Sequence, residues 1–263
     1  MQRAPRAVSE IIDAAISAVQ RDHRVVGLTI GGSAVVGALD EFSDIDFLVV
    51  CENGTESSVL AEAQAFAQRL GPLLAAFTGE HVGEPRLLIA LYGPPLLHVD
   101  FKFVAERDLS NRVEDGLVVW ERAGRVTAAT RETQAAWPDP DLQWIEDRFW
   151  IWIHYGAAKL GRGELFECMN MLTYLRSAVF GPLLAVIHGQ RPQGVRRLEL
   201  YAAEAVPALE ATVGDHTFTG CRSALNASID LYRDLRRQVG TPLLVERSEG
   251  EHAVLAYLDE LTE

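Results

Sequence analysis

Residues 31–50 read Gly-Gly-Ser-Ala-Val-Val-Gly-Ala-Leu-Asp-Glu-Phe-Ser-Asp-Ile-Asp-Phe-Leu-Val-Val, and no other stretch constrains the chain so tightly. One short apolar run, residues 25–30, ends at Gly31-Gly32, and a second, residues 47–50, opens directly behind Asp44 and Asp46. Apolar, β-branched runs of this length bounded by glycine or polar residues read as buried strands. Side chains alternate along a strand, so Asp44 and Asp46 are expected to project to one side. Carboxylates held that way repel each other unless a cation lies between them. Hard divalent ions such as Mg²⁺ favour all-oxygen ligands of this kind, usually together with substrate phosphates.

The flanking pattern extends the strands into a mixed α/β segment. Ser9 reads as an N-cap, followed at helical spacing by Ile11, Ile12, Ala15, Ile16 and Val19. Ser33 is placed to cap a short helix through Val36 that Gly37 ends, and Thr55 to begin a helix reaching Leu70, before Gly71-Pro72. Residues 87–92 and 97–104 read as third and fourth strands around Gly93-Pro94-Pro95, and residues 117–120 as a last one. Alternation in the fourth puts His98, Asp100 and Lys102 on one face.

Character changes at Trp137-Pro138-Asp139-Pro140-Asp141. Beyond it the periodicity is helical, over about 142–161, 164–180, 182–189, 197–212, 217–239 and from Ser248 onward. The expected fold is α+β: a catalytic domain over residues 1–138, with a mixed sheet and flanking helices, then an all-helical substrate-binding domain over residues 139–263.

Composition bounds the function. Hydrophobic residues make up 48% and charged residues 23% of the 263, ordinary for a globular protein. A net charge of −13 argues against a general affinity for nucleic acid, which needs a basic footprint. Cys51, Cys168 and Cys221 are odd in number, widely spaced and without a Cys-x-x-Cys pair, which points to reduced thiols in a cytoplasmic protein and no zinc site. No uncharged apolar run approaches the ~20 residues that span a bilayer, so no membrane partner is expected.

Three features raise the Asp-x-Asp pair above a solvated turn. It opens a buried strand, where unpaired carboxylates are expensive. The Gly-Gly-Ser turn before it offers backbone N–H groups and a hydroxyl to phosphate oxygens. A third carboxylate, Asp100, interrupts an apolar strand at Val99-Asp100-Phe101; if that strand neighbours residues 47–50, three aspartates converge. Such a set suits two-metal phosphoryl-group chemistry, with Asp44, Asp46 and Asp100 as metal ligands and Asp100 also placed to take a hydroxyl proton. Residues 31–37 lack the Lys-Ser/Thr end of a P-loop and the Gly-x-Gly start of a dinucleotide fingerprint.

Gly32-Ser33, Ser43-Asp44-Ile45-Asp46 and Val99-Asp100-Phe101 together resemble the signature of the DNA polymerase β nucleotidyltransferase superfamily. An α/β domain followed by helices is similar to bacterial aminoglycoside and lincosamide nucleotidyltransferases. The resemblance implies metal-binding and catalytic roles for Asp44, Asp46 and Asp100, phosphate binding at Gly32 and Ser33, and a place for Ser43 beside the metals. It also implies two Mg²⁺ ions, ATP or another nucleoside triphosphate as donor, and transfer of AMP to a hydroxyl of a small molecule, an aminoglycoside-like antibiotic among the candidates. Two other readings stand beside it: a protein or RNA acceptor, and a nucleotide-binding sensor or antitoxin-like protein without transfer.

In the helical half, Tyr155, Lys159 and Arg162 fall at i, i+4 and i+7, one helix face, and Tyr155 and Lys159 are candidates to stack on a base and neutralise phosphate charge. Glu146, Asp147 and Glu164 read foremost as surface or capping charges. His98 and Lys102 are candidates to line the Asp100 site. His154 and the tryptophans read as packing or surface residues.

Overall fold

The computed structural model describes residues 6–35, 37, 40 and 42–262. The chain forms two compact units, Met1–Ala136 and Trp137–Glu263. In the first, α1 (Arg6–Gln20) leads to β1 (Val25–Ile30), a one-turn 3-10 helix at Gly32–Ala34, and β2 (Ile45–Cys51). Then come α2 (Glu56–Ala61), α3 (Ala63–Gln68), β3 (Leu73–Gly79), β4 (Glu84–Tyr92), β5 (Leu97–Ala105), β6 (Leu117–Glu121) and α4 (Arg125–Arg131).

The six strands make one mixed sheet in the order β3-β4-β5-β2-β1-β6. Only β2 and β5 pair in parallel; the other ladders are antiparallel. One face is covered by α1, which buries Val8, Ile11, Ala15 and Val19 at helical spacing, and by Val59, Ala63 and Phe66 of α2 and α3. On that face Phe47 of β2 stacks on Phe101 of β5 with ring centroids 5.2 Å apart, and Phe66 meets Phe101 edge-on at 5.4 Å. On the opposite face a small core of Val26, Val50, Val104, Leu109 and Val126 gathers under α4. Gly27 permits that packing, since a Cβ there would lie 2.1 Å from Val126 Cγ2.

The helical unit contains α5 (Leu142–Gly161), α6 (Leu165–Leu175), α7 (Gly181–Ile187), α8 (Leu198–Tyr201), α9 (Val206–Ala211), α10 (Phe218–Val239) and α11 (Ser248–Glu260). A π-helical turn, Arg176–Phe180, joins α6 to α7, giving a helical stretch of 23 residues, Leu165–Ile187. By length and composition alone it would cross a membrane, but Cys168, Leu172, Leu175, Val179, Phe180 and Leu183 are buried in the unit's own core. The three cysteines are buried free thiols.

Several boundaries differ from the sequence expectation, each for a local reason. α1 already runs from Arg6, which pairs with Glu10 at 2.7 Å, so Ser9 lies inside the helix and does not cap it. The helix expected over 55–70 breaks at Glu62, whose two carboxylate oxygens each accept from the Arg24 guanidinium at 2.9 Å. The short helix expected from Ser33 is a single 3-10 turn ending at Ala34; Val36 lies outside the described residues. The segment 197–212 begins with Arg197 at φ +61° and breaks at Ala202, so it holds two short helices instead of one.

Glu146 is the largest departure: it is wholly buried on α5 and not a surface charge. Its carboxylate accepts from the Tyr232 hydroxyl at 2.6 Å, the Arg236 guanidinium at 3.1 Å, the Arg247 backbone N–H at 2.8 Å and the Trp150 indole at 3.3 Å. Burial pushes this carboxyl up, but the Arg247 amide, the Tyr232 hydroxyl and the Arg236 charge outweigh it and hold it below the ordinary Glu range. A lowered folded-state pKa gives stability that is complete above the unfolded pKa and disappears as pH falls through the folded value. Glu146→Gln, which leaves Arg236 partly uncompensated, is expected to cost about 3 kcal/mol. Chemical denaturation should show this as a loss at neutral pH that narrows on acidification; a loss equal at all pH values would show that the charge is not what matters.

Candidate functional site

The site is built on the sheet's second face, at the end away from the small core under α4. In the parallel β2–β5 ladder Asp46 stands directly opposite Asp100, and the next pair, Phe47 and Phe101, faces the core. Neighbouring strands lie about 4.8 Å apart, so the two carboxylates share one small patch of surface. Asp44 precedes the first paired residue, Ile45, so its placement comes from the loop and not, as alternation suggested, from the strand. It is close enough for its charge to raise Asp100.

Asp100 sits above the usual Asp range chiefly because burial penalises its charge; the His98 imidazole, 2.9 Å from Oδ1, works in the opposite direction. Lys102, expected to line the same patch, is drawn to Glu84 at 2.7 Å. Arg86 bonds the same carboxylate at 2.8 Å, and with Lys102 it brings Glu84 down to about 2. Ser43 is engaged within its own loop: its hydroxyl donates to Asp40 Oδ1 at 2.8 Å and accepts from the Asp40 amide at 3.0 Å. Together with a bond from the Phe42 amide this lowers Asp40; the Phe42 side chain is 88% exposed.

The Gly-Gly turn is moulded to Asp46. Gly31 N–H donates to the Asp46 carbonyl at 2.8 Å, and Gly32 has φ +61°, where L side chains are strained. A Cβ on Gly32 would come within 2.6 Å of Asp46 Oδ2. Glu114, which the sequence reading passed over, also reaches the turn: a Cβ on Gly31 would meet its Oε1 at 3.2 Å. The available signal was the acidic turn Glu114-Asp115-Gly116 just before β6.

Among the described residues no three His, Cys, Asp or Glu side chains already stand as a closed ligand set, so the expected convergence stops short of a preformed triad. The donors nonetheless fit a hard divalent cation in kind: all are carboxylate oxygens, with Asp46 and Asp100 opposed in register and Asp44 near.

In the helical unit Tyr155 and Lys159 share a face of α5, with the Lys159 ammonium 5.3 Å from the Tyr155 ring centroid. Both are engaged by acids. Tyr155 donates to Glu167 at 2.9 Å, and Lys159 pairs with Glu164 at 2.5 Å. Arg162 caps the helix and is 3.9 Å from Glu164. The His154 ring stands 4.8 Å from that of Tyr257.

The turn geometry makes a graded prediction. Gly32→Ala must displace the Asp46 carboxylate and adds about 1–2 kcal/mol of left-handed strain. Gly31→Ala asks only a small shift of the Glu114 side chain. Urea denaturation should therefore rank Gly32→Ala well below Gly31→Ala; equal stabilities would contradict the moulded turn.

Residues 12–84 match the family described as nucleotidyltransferase domain. The match takes in Gly32, Ser33, Ser43, Asp44 and Asp46 and ends before Asp100. No curated protein matches the chain. Among solved structures, an aminoglycoside 6-adenyltransferase from Bacillus subtilis is 14% identical, with 96% of this chain and 98% of that one covered and a TM-score of 0.40. A nucleotidyltransferase-like protein from Exiguobacterium sibiricum is 12% identical, covering 88% and 77%, at 0.37. A spectinomycin adenyltransferase from Enterococcus faecialis, solved with ATP and spectinomycin, is 11% identical, covering 99% and 100%, at 0.33. The Gly-Gly-Ser turn and both members of the Asp-x-Asp pair thus lie in the segment, residues 12–84, that matches the nucleotidyltransferase domain family.

Proposed function

We propose that the chain transfers a nucleoside monophosphate, AMP from ATP, to a hydroxyl of a small molecule and releases pyrophosphate. The observation that carries this reading is the register of Asp46 against Asp100 beside a glycine turn whose Gly32 lies against the Asp46 carboxylate. Asp44, Asp46 and Asp100 are the residues to hold Mg²⁺. A divalent cation bound there would offset triphosphate charge and stabilise the departing pyrophosphate.

The chain's own residues supply the rest. Gly32 and Ser33 take the phosphate-binding role that their motif implies. Asp100 accepts the proton of the acceptor hydroxyl as its oxygen bonds to the α-phosphorus and the bridging P–O bond breaks, the electron pair leaving with pyrophosphate. A small acceptor accords with a net charge of −13, which gives RNA no basic track.

Asp46→Asn and Asp100→Asn should each remain folded, since both side chains are partly exposed, and should each abolish Mg²⁺-dependent pyrophosphate release from ATP with cell metabolites as acceptors. Turnover within about tenfold of the unaltered chain in either variant removes the mechanism. Label from ATP recovered on protein instead of metabolite would move the acceptor to a protein side chain.

A further inference from the structure

The carboxylate patch continues into an apolar row that the reaction above does not use. Cross-strand partners share a sheet face, and the register runs from Phe77 to Ile89, from Ile89 to Asp100 and from Asp100 to Asp46. Beside that line, Ala75 pairs with Leu91, and Leu91 with His98. Their neighbours of opposite orientation, Leu88, Ala90 and Tyr92, are in the core. Phe77 is 54% and Leu91 37% exposed, and the His81 ring lies 5.5 Å from that of Phe77. With strands about 4.8 Å apart, Ile89 is one strand and Phe77 about 10 Å from Asp100 across the sheet.

We propose that Ala75, Phe77, Ile89 and Leu91 form the floor of the acceptor subsite. The occupant is a hydroxyl-bearing small molecule with an apolar or aromatic ring face, and not a polycation. The proposal rests on the nucleotidyl-transfer reading, because it places the accepting hydroxyl at Asp100. Three observations commit the row to this occupant. It is continuous in register with the carboxylates and starts one strand away, within reach of a single ring system whose hydroxyl lies at Asp100. It comprises four side chains, against the roughly 20–30 residues a side of a stable protein interface. No acidic side chain interrupts it on β3, and on β4 only Glu84 is acidic, where it is occupied by Arg86 and Lys102. An ammonium group laid on the row would lose water without gaining a partner.

The test uses the full chain with isotope-labelled Ile and Leu methyls, titrated with a nitrophenyl glucoside as the amphipathic probe and kanamycin as the polycationic one. The glucoside is expected to shift the Ile89 and Leu91 methyls saturably, and kanamycin to leave them in place. Phe77→Ser should weaken the glucoside about tenfold. Phe77 is half exposed, so the variant keeps its fold, and Leu91→Ser provides a second check. Unmoved methyls with the glucoside, or equal shifts with kanamycin, overturn the proposal while the reaction stands. Shifts that survive in Asp100→Asn support it, and unimpaired turnover in that variant removes the reaction reading instead.

Discussion

The first unit depends on the register between β2 and β5. A slip of one residue in a parallel ladder sends every side chain to the other face. Here Phe47 stacked on Phe101, with Phe66 edge-on behind, fixes the pairing from the core side. The same pairing brings Asp46 and Asp100 together on the opposite side, where the nearby Asp44 charge raises Asp100. Apolar packing on one face thus imposes an electrostatically unfavourable neighbourhood on the other. That is the condition in which a cation or a phosphate-bound metal gains most from binding.

Around that ladder the remaining elements act as limits. β1 and the Gly-Gly turn close one side, with Gly32 so near the Asp46 carboxylate that a Cβ there would come within 2.6 Å of Oδ2. α4 and its small core cover the other end of the face, away from Asp46, Asp100 and the apolar row on β3 and β4. The Glu84–Arg86–Lys102 ion pairs border the row and keep Lys102 away from the aspartates. In the helical unit, Glu164 and Glu167 hold Lys159 and Tyr155, so any anionic ligand there competes with carboxylates already in place.

Much of this was legible in the chain where a local signal existed. α5 was read over its full length because Asp141 caps it, accepting from the Trp144 amide at 2.9 Å, and Gly163 follows its end. β1 was delimited by its apolar run and the glycines after it. β3 was not seen, since Leu-Leu-Ala-Ala-Phe-Thr-Gly carries no alternation: it is an edge strand with partly exposed residues on both faces. The aspartates were singled out individually, but their opposition depends on which strands are neighbours, a non-local fact. The burial of Glu146 was equally hidden, because its partners Tyr232, Arg236 and Arg247 are 86, 90 and 101 residues away.

That last separation bears on how the helical unit is made. α5 opens the unit, yet every charged or hydroxyl donor to its central carboxylate comes from α10 or from the segment leading into α11. During synthesis from the N-terminus, the helices from α5 to α9 exist before Glu146 has anything to answer its charge. Until then an ionised group inside an apolar cluster opposes closure of that cluster. The paired carboxylate therefore ties the packing of α5 to α10 and to the segment that leads into α11.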